Sequence, residues 1–212
     1  QDSQDYTDIM RQFNNVRTYL FDETKKLYCH KYDETKSMPW ADPETGKSPS
    51  IWSRSIGWYA MALVDVLELL SHEKVVENVF QDFLEELVTG MIPHQTRKGM
   101  WFQIVDKPED EGNYQETSGT LMMAYTLLKA ARYGFLDQKY QEMGIQIFEG
   151  GVKNYLTEDV KGFHLGVTCQ AAGLDAQEKD GSVAYYLSEP VVSDEAKGVA
   201  PLMMAYSEIL RI

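Results

Sequence analysis

Three neighbouring residues indicate what chemistry this chain could carry out: Arg54 stands between Trp52 and Trp58, where an apolar segment begins. Indole rings stack on the C–H faces of sugars, and a guanidinium binds a carboxylate through two parallel hydrogen bonds. The three side chains therefore predict a site for a sugar ring that carries a carboxylate. The alternative is structural: a buried arginine paired with an acid from another part of the fold, with both tryptophans in the core.

Aromatic residues elsewhere in the chain extend this candidate site. The spacing of six between Trp52 and Trp58 does not put both on one face of a helix. We therefore expect Trp52 to line the site from the loop before the helix, and the spacing leaves the place of Trp58 open. Trp40 and Trp101 stand in aromatic loops expected at the same end of the molecule, where they would enlarge an aromatic-walled cavity.

Two histidines occupy corresponding places in aromatic segments of the chain. His30 is either a hydrogen-bond donor in the pocket or a structural residue, and His164 is its counterpart in a later segment. The chain has no HExxH motif and no His/Cys spacing typical of zinc sites. We therefore expect neither a metal nor a cofactor.

Carboxylates are too abundant for composition to select a catalytic acid. Those near expected junctions of loops and helices are Asp33, Asp42, Glu116 and Glu189. Glu116 starts an apolar helix, so it is either a helix cap or a catalytic group. The chain has no GxSxG motif and no plausible Cys–His nucleophile pair.

Composition restricts the possible partners. The chain has 212 residues, of which 43% are hydrophobic, and this fits one packed domain. Its net charge of -13 repels nucleic acid and anionic membranes, so we expect neither as a partner. Asp65 and Glu68 interrupt the longest apolar run, so no run approaches the length of a membrane-spanning helix. Cys29 and Cys169 are expected to be free thiols. The chain begins at Gln1 without Met, so we expect a processed product or a fragment; the compartment, cytoplasmic or periplasmic/secreted, stays open.

A repeat organises the whole chain. Three apolar helices each carry a Met-Ala pair and are expected to be buried all round; they span 53–70, 116–134 and 197–212. Amphipathic helices, expected to be wet on one side, lie at 6–21, 73–87 and 138–156. Short aromatic segments, read as short strands or extended loops, lie at 27–34, 98–108 and 161–173. A repeat of outer helix, aromatic loop and inner helix is typical of an α/α toroid, the alternative being an irregular helical bundle. Three pairs are about half of a closed double ring.

Three long segments carry a resemblance to a known family: residues 30–68 with WSRSIGW, 99–125 with NYQETS, and 169–205 with YYLSEPVV and KGV. They are similar to the unsaturated rhamnogalacturonyl hydrolases, glycoside hydrolase family 105. The resemblance implies an all-α (α/α)6 barrel, of which residues 1–212 would form a single domain, the C-terminal part. It also implies removal of a 4,5-unsaturated uronic acid from the non-reducing end of rhamnogalacturonan-type oligosaccharides left by lyases, without metal or cofactor.

The resemblance also implies roles for individual residues. Arg54 would bind the uronate carboxylate, Trp52 and Trp58 would stack on the sugar, and His30 would donate a hydrogen bond to it, with Trp40 as a further candidate. Many members of the family carry Asn where this chain has Ile56. The family's catalytic aspartate belongs to a motif that would lie upstream of this chain, so we expect the isolated chain to be catalytically incomplete.

Two other functional classes stay open. One is a non-catalytic carbohydrate-binding protein that keeps the cleft and lacks the acid. The other is a sugar isomerase or epimerase on a similar barrel, although such enzymes usually bring several histidines into the cavity.

Overall fold

The computed structural model describes residues 6–212, apart from the side chains of Val75 and Val76, and its elements alternate between inner and outer helices. The inner helices are α2 (Ser53–Leu70), α4 (Thr117–Tyr133) and α7 (Ala196–Ile209), and the outer helices are α1 (Thr7–Leu20), α3 (Lys74–Met91) and α5 (Lys139–Tyr155). A 3-10 helix (Ile92–His94) follows α3, and a short helix α6 (Val183–Ser188) precedes α7. The short strands of the described residues form three two-stranded antiparallel sheets. These pair β1 (Phe21–Asp22) with β2 (Leu27–Tyr28), β3 (Leu156–Asp159) with β4 (Gly162–Leu165), and β5 (Thr168–Cys169) with β6 (Val191–Val192).

Helix α4 is the centre of the molecule. Every residue from Thr117 to Ala131 is buried, because α2, α5 and α7 all pack against this helix. The helix ends at Gly134, whose φ of 76° closes the last turn in the left-handed conformation. The sequence of this helix is apolar on nearly all sides and predicts burial all round, which the three packed helices provide.

Two glycines let α2 and α4 approach closely. A Cβ on Gly119 would lie 2.8 Å from the carbonyl carbon of Ser53, and a Cβ on Gly57 would lie 2.8 Å from the Cβ of Met122. Real side-chain carbons do not tolerate these distances. The close approach brings the N-terminal ends of the two inner helices together, and the candidate site is built at that point.

Within residues 6–212 the predicted all-α fold with three inner and three outer helices is confirmed, with boundaries that differ by a few residues. The outer helices bury one face each: Phe80, Leu84 and Leu87 of α3 lie in the main core. Helix α6 was not expected from the sequence pattern. Within residues 6–212 no helix combines the length and the apolar character needed to cross a bilayer.

Candidate carbohydrate site

Arg54 lies in the first turn of α2 and is completely buried, with an exposed fraction of 0%. Its Nε donates a hydrogen bond to Ser118 Oγ over 2.7 Å, and its Nη2 donates to Glu116 Oε1 over 3.2 Å and to the backbone carbonyl of Cys169. These partners come from the start of α4 and from β5. The arginine is therefore paired with an acid of a neighbouring repeat, which is the structural alternative stated above.

Glu116 acts as the cap of α4. Its carboxylate accepts a hydrogen bond from the backbone N–H of Gly119 over 2.7 Å, as an N-cap side chain does. It also accepts from the hydroxyl of Ser118 and from the backbone N–H of Cys169, at 2.7 and 3.1 Å to Oε1. Because these protein donors surround the buried carboxylate, the geometry favours the capping interpretation over a catalytic one.

One donor of this buried cluster has no acceptor. Arg54 Nη1 is inaccessible to solvent and makes no hydrogen bond within the described residues. An unpaired buried donor on a charged group is costly, and native proteins seldom keep one without a reason. The nitrogen is therefore the one group of Arg54 left for an acceptor that the protein itself does not supply.

Of the two tryptophans of the motif, Trp52 lies inside the protein and Trp58, whose place the spacing left open, lies at the surface. Trp52 has an exposed fraction of 0% and its Nε1 donates to Gln103 Oε1 over 3.0 Å, whereas Trp58 is 45% exposed. Trp52 therefore does not face an open cavity in this structure, and its role in stacking on a sugar stays a prediction. The loop before α2 pairs with Ile104, and this pairing places the Trp52 ring inside. The Trp58 ring packs edge-on against Trp52, with 5.6 Å between centroids.

His30 lies beside Trp52 and contacts a residue of α6. Its ring centroid is 4.7 Å from that of Trp52, and its Nδ1 is 2.5 Å from the hydroxyl of Tyr186. Burial lowers the pKa of His30 to about 4, and the neighbouring charge of Lys31 acts in the same direction. The imidazole is therefore neutral at neutral pH.

The remaining candidates divide between this cluster and the rest of the molecule. Trp40 is 7% exposed, shares an apolar cluster with Trp52 and Tyr186, and borders a cavity of about 570 Å³. Trp101 was expected to enlarge the aromatic cavity, and this expectation is wrong. Its ring is fully buried in the main core and its Nε1 donates to the carbonyl of Met91 over 2.8 Å.

His164 and two of the acids lie apart from the cluster. His164 is in strand β4, where it pairs with Asp159 and with Asp194. Asp33 and Asp42 accept hydrogen bonds from nearby backbone N–H groups of their own turns, which is the usual function of aspartate in turns. Glu189 accepts a hydrogen bond from the hydroxyl of Tyr185.

The structure thus brings Trp52, Arg54, Trp58, His30 and Trp40 into one group. The guanidinium carbon of Arg54 is 5.3 Å from the ring centroid of Trp52, which completes the chain of contacts. Their function in sugar binding stays a prediction, because both Arg54 and Trp52 are covered by protein.

Sequence reasoning missed two residues of this group, Tyr186 and Gln103. Tyr186 is fully buried and lies in the YYLSEPVV run, which was used only for the resemblance. The adjacent tyrosines Tyr185 and Tyr186 were a signal that an aromatic layer continues into this segment. Gln103, between Phe102 and Ile104 in an aromatic loop, gave no such signal.

Across the described part of the chain, no three His, Cys, Asp or Glu side chains come together in a way that could hold a metal ion. Cys29 and Cys169 are both buried and unpaired, as expected. Burial raises the pKa of the Cys29 thiol to about 11.

Comparison with known proteins identifies relatives along the whole chain. The family model described as Glycosyl Hydrolase Family 88 matches residues 1–212. Protein Atu3128 of Agrobacterium fabrum and the 24.9 kDa protein in the picA locus of Rhizobium radiobacter are each 42% identical to this chain over 211 residues, which cover 96% of this chain and 90% of theirs.

Solved structures share the fold. A glycoside hydrolase of family 105 from C. acetobutylicum is 38% identical, with a TM-score of 0.93 over 98% of this chain and 58% of its own. An unsaturated glucuronyl hydrolase from Bacillus sp. GL1 has a TM-score of 0.64 at 14% identity, over 94% of this chain and 50% of its own, and this likeness shows the fold alone. The chain thus spans between half and three fifths of these two solved proteins, and the resemblance to family 105 is confirmed.

Proposed function

This chain belongs to Glycosyl Hydrolase Family 88, and from that premise we propose that it binds a 4,5-unsaturated uronic acid at the non-reducing end of an oligosaccharide left by a polysaccharide lyase. The full reaction would remove that sugar by hydrolysis. Within this substrate class, the specific substrate that we propose is a rhamnogalacturonan-type disaccharide, unsaturated galacturonate linked to rhamnose. Support for this choice comes from the 38% identity to the family 105 glycoside hydrolase.

The observation that carries the proposal is the unpaired Nη1 of Arg54. A uronate carboxylate is an acceptor that would satisfy this buried nitrogen with a charge-assisted hydrogen bond. The adjacent rings of Trp52 and Trp58 would contact the apolar face of the same sugar. Because Arg54 is fully covered, binding requires the segment that carries Cys169, whose carbonyl accepts from Arg54, to move away from it.

Two partly accessible side chains would meet the sugar first. Trp58 exposes 45% of its surface on α2, and His30 is half-buried beside Trp52. A ring for stacking and an imidazole for hydrogen bonding are the two groups that a carbohydrate site combines with a charged anchor.

The proposed chemistry follows from the double bond of the substrate. The unsaturated uronate contains a C4=C5 vinyl ether. A carboxylic acid would add a proton to C4, and water would add its hydroxyl to C5 and return a proton to the carboxylate. The hemiketal formed at C5 then opens and releases the second sugar. One general acid/base suffices for this sequence.

We propose that this acid lies outside the present chain. Glu116 is the carboxylate closest in the structure to Arg54, and its oxygens are occupied by Arg54, Ser118, Gly119 and Cys169. It is placed to hold the arginine and the start of α4. The isolated chain would then bind the disaccharide without converting it.

Calorimetric titration with the unsaturated galacturonyl–rhamnose disaccharide tests binding, and loss of the ultraviolet absorbance of its double bond tests turnover. We expect binding to the chain, and weaker binding of the methyl ester of the same disaccharide, which lacks the carboxylate charge. Turnover is expected only with a form of the protein that carries the family's aspartate segment. Equal binding of the acid and the ester would refute the role of Arg54.

Variants on the exposed face of α2 provide a matched pair. Trp58→Ala should weaken binding by about tenfold, the equivalent of roughly one stacked ring. Leu69→Ala lies on the same helix, is 70% exposed and should leave binding unchanged. Binding by a longer form without any turnover would favour the non-catalytic carbohydrate-binding function instead.

A further inference from the structure

We propose that Tyr186 is a positioning residue that fixes His30 as the neutral tautomer with its proton on Nε2. The tyrosine lies in α6 and the histidine 156 positions earlier in the chain. The consequence for sugar binding rests on the proposed function, whereas the tautomer itself does not.

Both rings are held by packing on Trp52. The ring centroid of Tyr186 is 6.0 Å from that of Trp52 and 5.8 Å from that of His30, and His30 is 4.7 Å from Trp52. Tyr186 and Trp52 are both fully buried. The hydroxyl of Tyr186 reaches Nδ1 of His30 at 2.5 Å, so neither ring can turn without breaking this contact.

The direction of the hydrogen bond follows from the surroundings of the hydroxyl. In the described part of the chain, the one side-chain hydrogen bond of Tyr186 is the contact with His30. If Nδ1 carried the proton and donated it, the buried hydroxyl proton would have no acceptor, and an unpaired buried donor is costly. The hydroxyl therefore donates to Nδ1, and a neutral imidazole must then carry its proton on Nε2.

The charge state of His30 agrees with this geometry. A doubly protonated imidazole would lose the acceptor at Nδ1 and leave the tyrosine proton unpaired. Burial already lowers the pKa of His30 to about 4, and Lys31 is the charged side chain that adds to this effect. The ring is consequently neutral when the protein is at neutral pH, and Nε2–H is its one donor.

A fixed Nε2–H donor has a consequence for the proposed site. No described residue accepts a hydrogen bond from Nε2 of His30, so this donor is available for a sugar hydroxyl or ring oxygen. Tyr186 would thus contribute to recognition without touching the ligand. A phenylalanine at this position would preserve the packing on Trp52 and remove only the hydroxyl.

Long-range ¹H–¹⁵N NMR of the four histidines tests the proposal on the full chain. We expect the His30 signals, identified by their loss in His30→Gln, to show a protonated Nε2 and a hydrogen-bonded, unprotonated Nδ1. In Tyr186→Phe we expect loss of the hydrogen-bonded Nδ1 signal, conversion to a mixture of tautomers and a rise in the pKa of His30. A wild-type spectrum with the proton on Nδ1 would overturn the proposal, and that result does not depend on any variant.

Tyr185→Phe is the control. Tyr185 is the neighbouring residue, its hydroxyl donates to Glu189 and accepts from the backbone N–H of Gly173, and it makes no hydrogen bond to His30. Its removal should leave the His30 signals unchanged. If Tyr186→Phe also left them unchanged, the positioning role would be refuted. If wild type shows the expected tautomer but does not bind the disaccharide, the proposed function is refuted and the positioning role of Tyr186 is not.

Discussion

Removal of the charge of Glu116 tests how strongly the start of α4 depends on the buried ion pair. Glu116→Gln keeps the shape and one acceptor for the cap, and it removes the negative charge against the guanidinium of Arg54, at 3.2 Å with both side chains 0% exposed. It also replaces one of two accepting oxygens by an amide nitrogen that cannot accept from the surrounding donors. Breaking a buried pair by removing one partner costs about 3–5 kcal/mol. We expect the lower end, about 3 kcal/mol, because Ser118 and the carbonyl of Cys169 still accept from Arg54.

A double-mutant cycle separates the ion pair from the rest of the site. Arg54→Met alone should cost about 3 kcal/mol, the lower end of the same range, since the carboxylate loses its cation but keeps three hydrogen-bond donors. The double variant of Arg54→Met and Glu116→Gln contains neither charge, so it should lose about 2 kcal/mol less than the sum of the single variants.

Urea unfolding followed by tryptophan fluorescence measures all four proteins of the cycle. A loss of about 3 kcal/mol moves the midpoint by about 1 M urea if the slope is about 3 kcal/mol per molar. Single variants whose effects add to within about 0.5 kcal/mol of the double variant would refute the reasoning, because two side chains that share a buried charge interaction cannot act independently.

Three further predictions concern packing and pH. Gly119→Ala should destabilise the protein by about 1–3 kcal/mol, because its Cβ would lie 2.8 Å from Ser53, whereas Gly173→Ala meets no atom within 4 Å and should be neutral in the same urea assay. The aspartates around His164 raise its pKa above the usual value, so its stabilising contribution is complete below about pH 6.5 and is lost as pH rises through the folded pKa. The melting temperatures of wild type and His164→Gln should therefore differ at about pH 6 and converge by about pH 9; a difference that persists at high pH would contradict this. The pKa of His30 is lowered to about 4, so wild type should lose stability as pH falls from about 6.5 to about 4, and His30→Asn should lose less over that range in parallel melts.

Local patterns were sufficient for the architecture. The apolar runs with Met-Ala pairs predicted the inner helices, and the amphipathic runs predicted the outer ones, because burial on all sides and burial on one face leave different periodicities in a sequence. The motif around Arg54 also identified the group of side chains that comes together at the start of α2. The roles of these side chains were left open between binding and structure.

Tertiary structure decided the pairing and the orientation of those side chains. Glu116 lies 62 positions from Arg54, and the two meet because the glycines of α2 and α4 allow close packing. Trp52 is inside and Trp58 outside because the loop before α2 pairs with a distant aromatic loop. Tyr186 covers Trp52 from a helix that no periodicity predicted. Such contacts depend on the paths of segments far apart in the chain, and residue spacing carries information only over a turn or two of one element.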